Sequence, residues 1–327
     1  MASALSEIET FEDIPLDPAV LRRLAPFATA RPISFHLPGF KRYASSELPA
    51  CGKAAWPAVS VTGSECRLLC DHCRGALLTS MLPATTPDAL WRLGARLAEE
   101  GRAGMLLSGG SDARGEVPLA PFLPVVARLK AAYPAFGIAV HTGLLDAARA
   151  AELAQSGADT AMLDLIGAED TVRAVYHLDR PVADFEAALA ALVASGMRVV
   201  PHIVMGLHYG HFLGEWRALE MVARQRPAAL VLVAAMPLYA SARRPFDTPS
   251  ARAVGAFFAT ARETLADTPL LLGCARPAGA AKQEMDAYAV LAGFDGIAHP
   301  AEGVVALARR LGREARVSPG CCALAPT

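Results

Sequence analysis

The sequence predicts an α/β protein, a (β/α)8 TIM-type barrel with irregular N- and C-terminal arms, on three observations. From about residue 56 onward, eight short apolar runs alternate with longer stretches of helical period. The runs are continuously apolar, as in LVLVAAM and PLLLG, which suits parallel strands covered on both faces. Glycines fall where the intervening helices should stop, and eight strands are the number that closes a barrel.

The elements follow in order. Pro32, Pro38 and Pro49, with Gly39 and scattered aromatics, make the first 55 residues an irregular extension carrying one short helix near 17–24. Strands are expected near 58–62, 104–108, 138–142, 160–165, 199–204, 230–234, 270–273 and 296–298. Thr86-Pro87-Asp88 opens a helix over 89–100 as a cap with proline at its first position, and Gly101, Gly157 and Gly196 mark helix ends. The chain thus divides into an extension (1–55), a barrel (56–312) and a tail (313–327) in which Ser318-Pro319-Gly320 precedes Cys321-Cys322.

Composition excludes several functions. With 31 basic and 32 acidic residues, a formal net charge of −1 and no Lys/Arg block, there is no footprint for nucleic acid or for a membrane surface. The acidic start, MASALSEIETFEDIPLD, lacks the basic end and apolar run of a signal peptide, so a cytoplasmic location is expected. Seven cysteines, an odd number, argue for metal or cluster ligation rather than a disulfide framework.

Three of those cysteines carry the main signal. Cys66, Cys70 and Cys73 lie in one loop of eight residues directly after the first strand, at the end of the barrel where barrel enzymes place their chemistry. Three thiolates on a four-iron cube leave one iron open to a ligand. The alternative is a zinc knuckle with His72 or a distant fourth ligand, which would make the chain a non-catalytic metal-binding module.

The C-x3-C-x2-C loop after the first strand, with the ring of His72 before the last cysteine, resembles the radical S-adenosylmethionine superfamily over about residues 56–300. That resemblance implies a [4Fe–4S] cluster with S-adenosylmethionine on its open iron, an outside electron donor such as ferredoxin or flavodoxin, and a 5′-deoxyadenosyl radical that abstracts hydrogen from carbon. It implies further that Ser108, Gly109 and Gly110 receive the methionine ammonium, with Ser111 or Asp112 standing where the family's loop has Glu. His202-Ile203-Val204-Met205-Gly206 looks like the family's adenine-contacting segment, through Ile203, Met205 and Gly206.

The residues themselves add candidates. Asp164, a carboxylate in an otherwise apolar run at a strand end, suits ribose hydroxyls or the cap of the next segment. His141, His208, Tyr209 and His211 are candidates for cofactor or substrate contact, or structural groups. Cys51, Cys274, Cys321 and Cys322 are the four thiols needed for a second, auxiliary [4Fe–4S] cluster, with Cys274 at a strand end and both arms free to close over the same rim; the alternative is small buried hydrophobes.

The arm FHLPGFKRYASSELPACGK, the loop SGGSDARGEVPL and the CC tail resemble the biotin-synthase-related branch, and within it one component of the split, two-protein lipoyl synthase. This implies sulfur insertion from the auxiliary cluster into octanoyl-lysine on a lipoyl carrier protein, with a sister radical enzyme making the other insertion. Another biotin-synthase-like reaction without sulfur insertion is the competing implication.

Overall fold

The structure, a computed structural model, describes residues 10–11, 14–38, 43–49, 56–236 and 246–324. Cys51 lies outside the described residues.

A two-stranded antiparallel hairpin, β1 (Thr10–Phe11) and β2 (Ile14–Pro15), precedes a helix over Pro18–Leu24. The Asp17 carboxylate caps that helix by accepting from the amides of Ala19 (2.8 Å) and Val20 (3.1 Å). Eleven further strands follow: β3 (Ile33–His36), β4 (Ala58–Ser60), β5 (Leu82–Pro83), β6 (Gly104–Ser108), β7 (Gly137–His141), β8 (Thr160–Met162), β9 (His202–Met205), β10 (Leu230–Ala234), β11 (Leu270–Leu272), β12 (Gly296–Ala298) and β13 (Ala315–Ser318). Ten α-helices lie among the described residues. Pro87–Glu99 begins as expected, Thr86 Oγ1 accepting from the Ala89 amide, and Gly101, Gly157 and Gly196 take left-handed φ at helix ends.

All eight anticipated strands are present, several of them shorter: β8 ends at Met162, and Val199 makes only an isolated bridge to Ala161 before β9 begins at His202. They form two parallel sheets, β5-β4-β6-β7-β8 and β13-β3-β12-β11-β10-β9, linked by the parallel bridges Ala161–Val199 and Asp164–His202.

The expected closed barrel is not observed, and the reason is edge occupancy. Closure would pair β12 with β4, but the free edge of β12 is taken by β3 and that of β4 by β5. The arms, read as irregular, therefore supply two strands of the wall: β3 pairs with β12, and β13 pairs with β3 in turn. The fold is an open, strongly curved parallel α/β wall.

Strand alternation separates two apolar layers. Leu230, Leu232 and Ala234 of β10 join the core that also holds the helix residues Leu90, Val126, Leu189 and Phe257. Val231 and Val233 of the same strand face the concave side, with Trp56, Ala139, Met162, Val200 and Leu271. This interior is filled partly by the C-terminal tail, since Cys322 and Ala323 are buried in it. The Ala323 carbonyl accepts from Thr160 Oγ1 (3.5 Å) and Arg198 Nε (3.2 Å). A Cβ at Gly137 would meet Leu324 at 3.3 Å, so the end of the tail reaches the first residues of β7 and β8. Cys321 and Cys322, nearer the start of the tail, lie close to His141 at the end of β7 and to Cys274 just past β11.

Candidate functional site

The cysteine loop leaves β4 and is tied down at each turn. Ser60 Oγ donates to the Gly63 carbonyl at 2.7 Å and Thr62 Oγ1 to the Glu65 carbonyl at 2.9 Å. The Gly110 amide, from the loop after β6, donates to Thr62 Oγ1 at 2.7 Å, and the Arg67 amide to the Ser111 carbonyl at 2.9 Å. These bonds press the glycine loop onto the cysteine loop so closely that a Cβ at Gly110 would lie 2.0 Å from the Glu65 carbonyl oxygen and 2.6 Å from Cys66 Cα. Only glycine fits there.

Two non-glycine residues take left-handed backbone inside the loop, Leu69 (φ 45°) and Arg74 (φ 47°), a conformation most residues avoid. The loop between them turns back on itself, the amides of Cys73 and Arg74 both donating to the Cys70 carbonyl (3.1 and 2.8 Å). The three thiols come to line one cavity of about 270 Å³ with His72, Ser108, Gly109, Gly110, Ser111, His141, Asp164 and Tyr176. Leu77, Leu78, Met81, Leu144, Leu178 and Phe185 supply its apolar wall.

Most of the residues singled out in the sequence thus meet at one place, though not all. Asp112 is spent on its own turn, its Oδ1 accepting from the amides of Arg114 (2.8 Å) and Glu116 (3.0 Å), while Ser111 faces the cavity. Ile203 and Met205 point to the helix-side core, since alternation along β9 puts His202 and Val204 on the other face. Gly206 takes left-handed φ (72°) beside Pro249, and its amide donates to Glu215 Oε1 at 2.7 Å. His208 Nδ1 lies 3.1 Å from Thr171 Oγ1, and His211 forms a bridge with His208 away from the cavity.

Sequence reading missed the residues that grip the loop from behind. Asp71, buried between Cys70 and His72, accepts from the Tyr209 hydroxyl at 2.7 Å and lies 3.1 Å from His177 Nε2; its amide donates to the Val175 carbonyl at 2.9 Å. The His72 and Tyr176 rings pack at 5.3 Å, and the Tyr176 hydroxyl donates to Asp164 Oδ2 at 3.1 Å. One short segment, 174–177, therefore ties the cysteine loop to the carboxylate across the cavity.

The charges fit a ligand site. The Cys70 thiol beside it, with help from His72, pulls Cys73 down, while the same contact, together with burial, pushes Cys70 up. Burial works to raise Asp164, but His141, His202 and His72 outweigh it and keep the carboxylate ionised. Burial pushes Tyr176 up, with Asp164 adding to it, so it stays a hydrogen-bond donor. His141, Asp164 and His202 present ligand atoms within 4.8 Å of one another.

These observations test whether an iron–sulfur cluster with an organic ligand suits the site. Three thiols line one cavity, His72 Nδ1 is buried without a partner, and a glycine-only loop lies against Cys66. The donor set fits a four-iron cluster with one open position better than a single zinc ion, because no three of Cys66, Cys70, Cys73 and His72 bring their ligand atoms within 4.8 Å of one another, as one tetrahedral ion would require.

Of the other described cysteines, Cys321 and Cys322 pack inside the wall, and Cys274 lies near enough to act on Cys322 electrostatically. Cys321 and Cys322 hydrogen-bond to each other, which lowers Cys321 and raises Cys322; burial and then nearby Cys274 push Cys322 further up. The loop carrying Cys274 is fixed by a fully buried ion pair: Arg276 binds Asp286 through Nε (2.5 Å) and Nη2 (2.9 Å), and donates through Nη1 to the Gly273 carbonyl.

No family model and no curated protein matches this sequence. Solved structures do share its fold. Methylornithine synthase (PylB) aligns with a TM-score of 0.56 at 12% identity, over 90% of this chain and 82% of that one. HydG, a maturase of the [FeFe]-hydrogenase, aligns at 0.57 and 14%, over 91% and 66%. Streptococcus suis SuiB bound to S-adenosylmethionine aligns at 0.51 and 12%, over 69% and 52%, so this chain spans about half of that protein. At these identities the likeness establishes the parallel α/β fold. Among the described residues no helix is long and apolar enough to cross a membrane.

Proposed function

We propose that this chain is a radical S-adenosylmethionine enzyme, and that its product chemistry is sulfur insertion. The observation that carries the first part is the convergence of Cys66, Cys70 and Cys73 on a cavity that also collects Ser108, Gly109, Gly110 and Asp164. Its fold neighbours include a protein solved with S-adenosylmethionine bound, which supports the same reading.

The three thiolates would hold a [4Fe–4S] cluster, and the backbone of Ser108–Gly110 would take the methionine ammonium. When both groups are bound, they supply a 5′-deoxyadenosyl radical able to remove hydrogen from an unactivated carbon. Asp164, kept ionised, accepts from a ligand hydroxyl while Tyr176 holds its other oxygen. Leu77, Met81, Leu144, Leu178 and Phe185 keep water from the reacting atoms.

The finer reading rests on the tail. Cys321 and Cys322 in the interior, with nearby Cys274 and with Cys51, would hold an auxiliary [4Fe–4S] cluster as sulfur source; the proximity of Cys274 to Cys322 supports this reading. The substrate is then octanoyl-lysine on a lipoyl carrier, with a sister radical enzyme completing the pair of insertions and ferredoxin or flavodoxin supplying electrons. The test is anaerobic incubation of the reconstituted chain with an octanoylated carrier peptide, reductant and S-adenosylmethionine. Added sulfur in the peptide mass is expected; 5′-deoxyadenosine without sulfur transfer would leave the radical class and refute the sulfur chemistry.

A further inference from the structure

Three polar side chains on consecutive strands form a layer of their own beside the ligand cavity. His141 ends β7, Asp164 lies two residues past β8 and His202 begins β9, with Asp164 and His202 partners in a parallel bridge. Alternation turns all three to the concave side, since Ala139, Met162 and Val200, each two residues earlier, belong to its interior layer. Side chains carried by strands hold a fixed geometry better than side chains carried by loops.

Their spacing is that of donors around one ion. His141 Nε2 and Asp164 Oδ1 stand 3.5 Å apart, longer than an ordinary hydrogen bond and close to the roughly 3.3 Å between two ligand atoms that each lie about 2.1 Å from a tetrahedral ion. The His141 and His202 ring centroids are 5.6 Å apart, near the roughly 5 Å expected when two imidazole nitrogens point at one such ion. His202 Nδ1 is buried with no partner among the described residues, an arrangement that costs free energy unless something binds there. Asp164 forms no ion pair with lysine or arginine among the described residues; the Tyr176 hydroxyl fixes Oδ2 at 3.1 Å and leaves Oδ1 turned to His141.

We propose that His141, Asp164 and His202 bind one divalent transition-metal ion, such as zinc, at a site separate from any iron–sulfur cluster. Two imidazoles and a carboxylate are a donor set that such ions favour over magnesium or calcium. Three protein ligands leave coordination positions open, which distinguishes a catalytic metal site from a closed structural one. His141 and Asp164 line the inner cavity, so the open positions meet whatever ligand enters there. The site goes beyond the radical reading and does not depend on it, because no cysteine takes part. The two are compatible: Asp164 Oδ1 serves the ion, while Oδ2, beside Tyr176, remains for a ligand hydroxyl.

The experiment uses the full reconstituted chain, zinc chloride as the probe, and the variants His141→Gln and His202→Gln. Iron and zinc per chain are counted after gel filtration, zinc affinity is read by competition with a chromophoric chelator, and the zinc environment by X-ray absorption at the zinc edge. The wild type should retain one zinc per chain with its iron unchanged, in a shell of nitrogen and oxygen at about 2.0–2.2 Å that shows imidazole scattering and no sulfur at about 2.3 Å. Each variant should bind zinc about tenfold or more weakly, with circular dichroism and iron content as in the wild type. A wild-type chain that retains no zinc, or holds it in a sulfur shell, would overturn the proposal whatever the variants do. So would undiminished zinc binding by both variants. The two readings fail separately: zinc held by nitrogen and oxygen in a chain that assembles no cluster would keep this site and refute the radical centre, whereas S-adenosylmethionine cleavage by a chain that takes up no zinc would do the reverse.

Discussion

The cysteine loop after β4 and the C-terminal tail both bring thiols into the interior, but by different means. The loop is local: three cysteines within eight residues, bent inward by left-handed turns and clamped by the Gly110 amide in front and Asp71 behind. The tail is remote: Cys321 and Cys322 follow a strand that pairs at the far edge of the wall, and a short turn then carries them into the interior near Cys274. The local site is held by hydrogen bonds from its own and neighbouring loops, whereas the remote one depends on the whole wall being assembled. This difference suits a division in which the first site makes a reactive species and the second determines the product.

The comparison is broken most sharply by removing one thiol from each site. Cys70→Ala should reduce 5′-deoxyadenosine formation to background, measured by chromatography of anaerobic reactions. Cys274→Ala should retain part of that activity, stop sulfur transfer, and lower reconstituted iron from about eight to about four atoms per chain. Equal loss of both activities would mean that Cys274 only supports the fold.

Gly110→Ala probes the close approach in front of the loop. The new methyl group would strike the Glu65 carbonyl, so the two loops must separate. Cofactor cleavage should fall by more than tenfold, with about 1–3 kcal/mol of stability lost in denaturant unfolding. Wild-type behaviour would show that the glycine loop yields freely.

Asp71→Asn probes the clamp behind. The amide keeps the volume but cannot accept from both Tyr209 and His177 as the carboxylate does. A loss of about 2 kcal/mol is expected, with faster loss of iron to a chelator, and Asp71→Glu should recover less than the wild type because the loop has no room for a longer arm.

An effect of pH alone, with no thiol touched, lies on the tail side. His36 on β3 is fully buried, neither ring nitrogen has a partner among the described residues, and burial lowers its pKa from 6.5 to about 4. Between those values the unfolded chain binds a proton that the folded chain does not. Stability should therefore be complete above pH 6.5 and fall by about 3 kcal/mol on acidification to pH 4. His36→Phe should make that part of the profile shallower in thermal melts, leaving the share due to His202, which burial also lowers to about 4.

Legibility in the sequence followed the same local and remote division. The strands β4 and β6 to β12 announce themselves because both faces are covered and their residues are largely apolar, whereas β5, two exposed residues at Leu82–Pro83, was not anticipated. β3 does not: Ile33-Ser34-Phe35-His36 alternates and sits between Pro32 and Pro38, so it resembles an irregular arm until its partners are known. Since which strand takes a free edge is a tertiary choice, the open wall could not be read from period alone. At the site, cysteine spacing and the glycine pair were visible because they are contiguous. Tyr176 and His177 were not, since they act on a loop about 100 residues earlier in the chain. For Ile203 and Met205 the strand was anticipated, but which of its faces turns to the cavity depends on a register that the sequence leaves open.

The central claim is that Cys66, Cys70 and Cys73 form a radical-generating centre. It is tested most directly by reconstituting the full chain with iron and sulfide under anaerobic conditions, adding S-adenosylmethionine and dithionite, and measuring 5′-deoxyadenosine. The account predicts its formation in the wild type and none in Cys70→Ala. A wild-type chain that binds zinc in place of the cluster and leaves S-adenosylmethionine intact would contradict it.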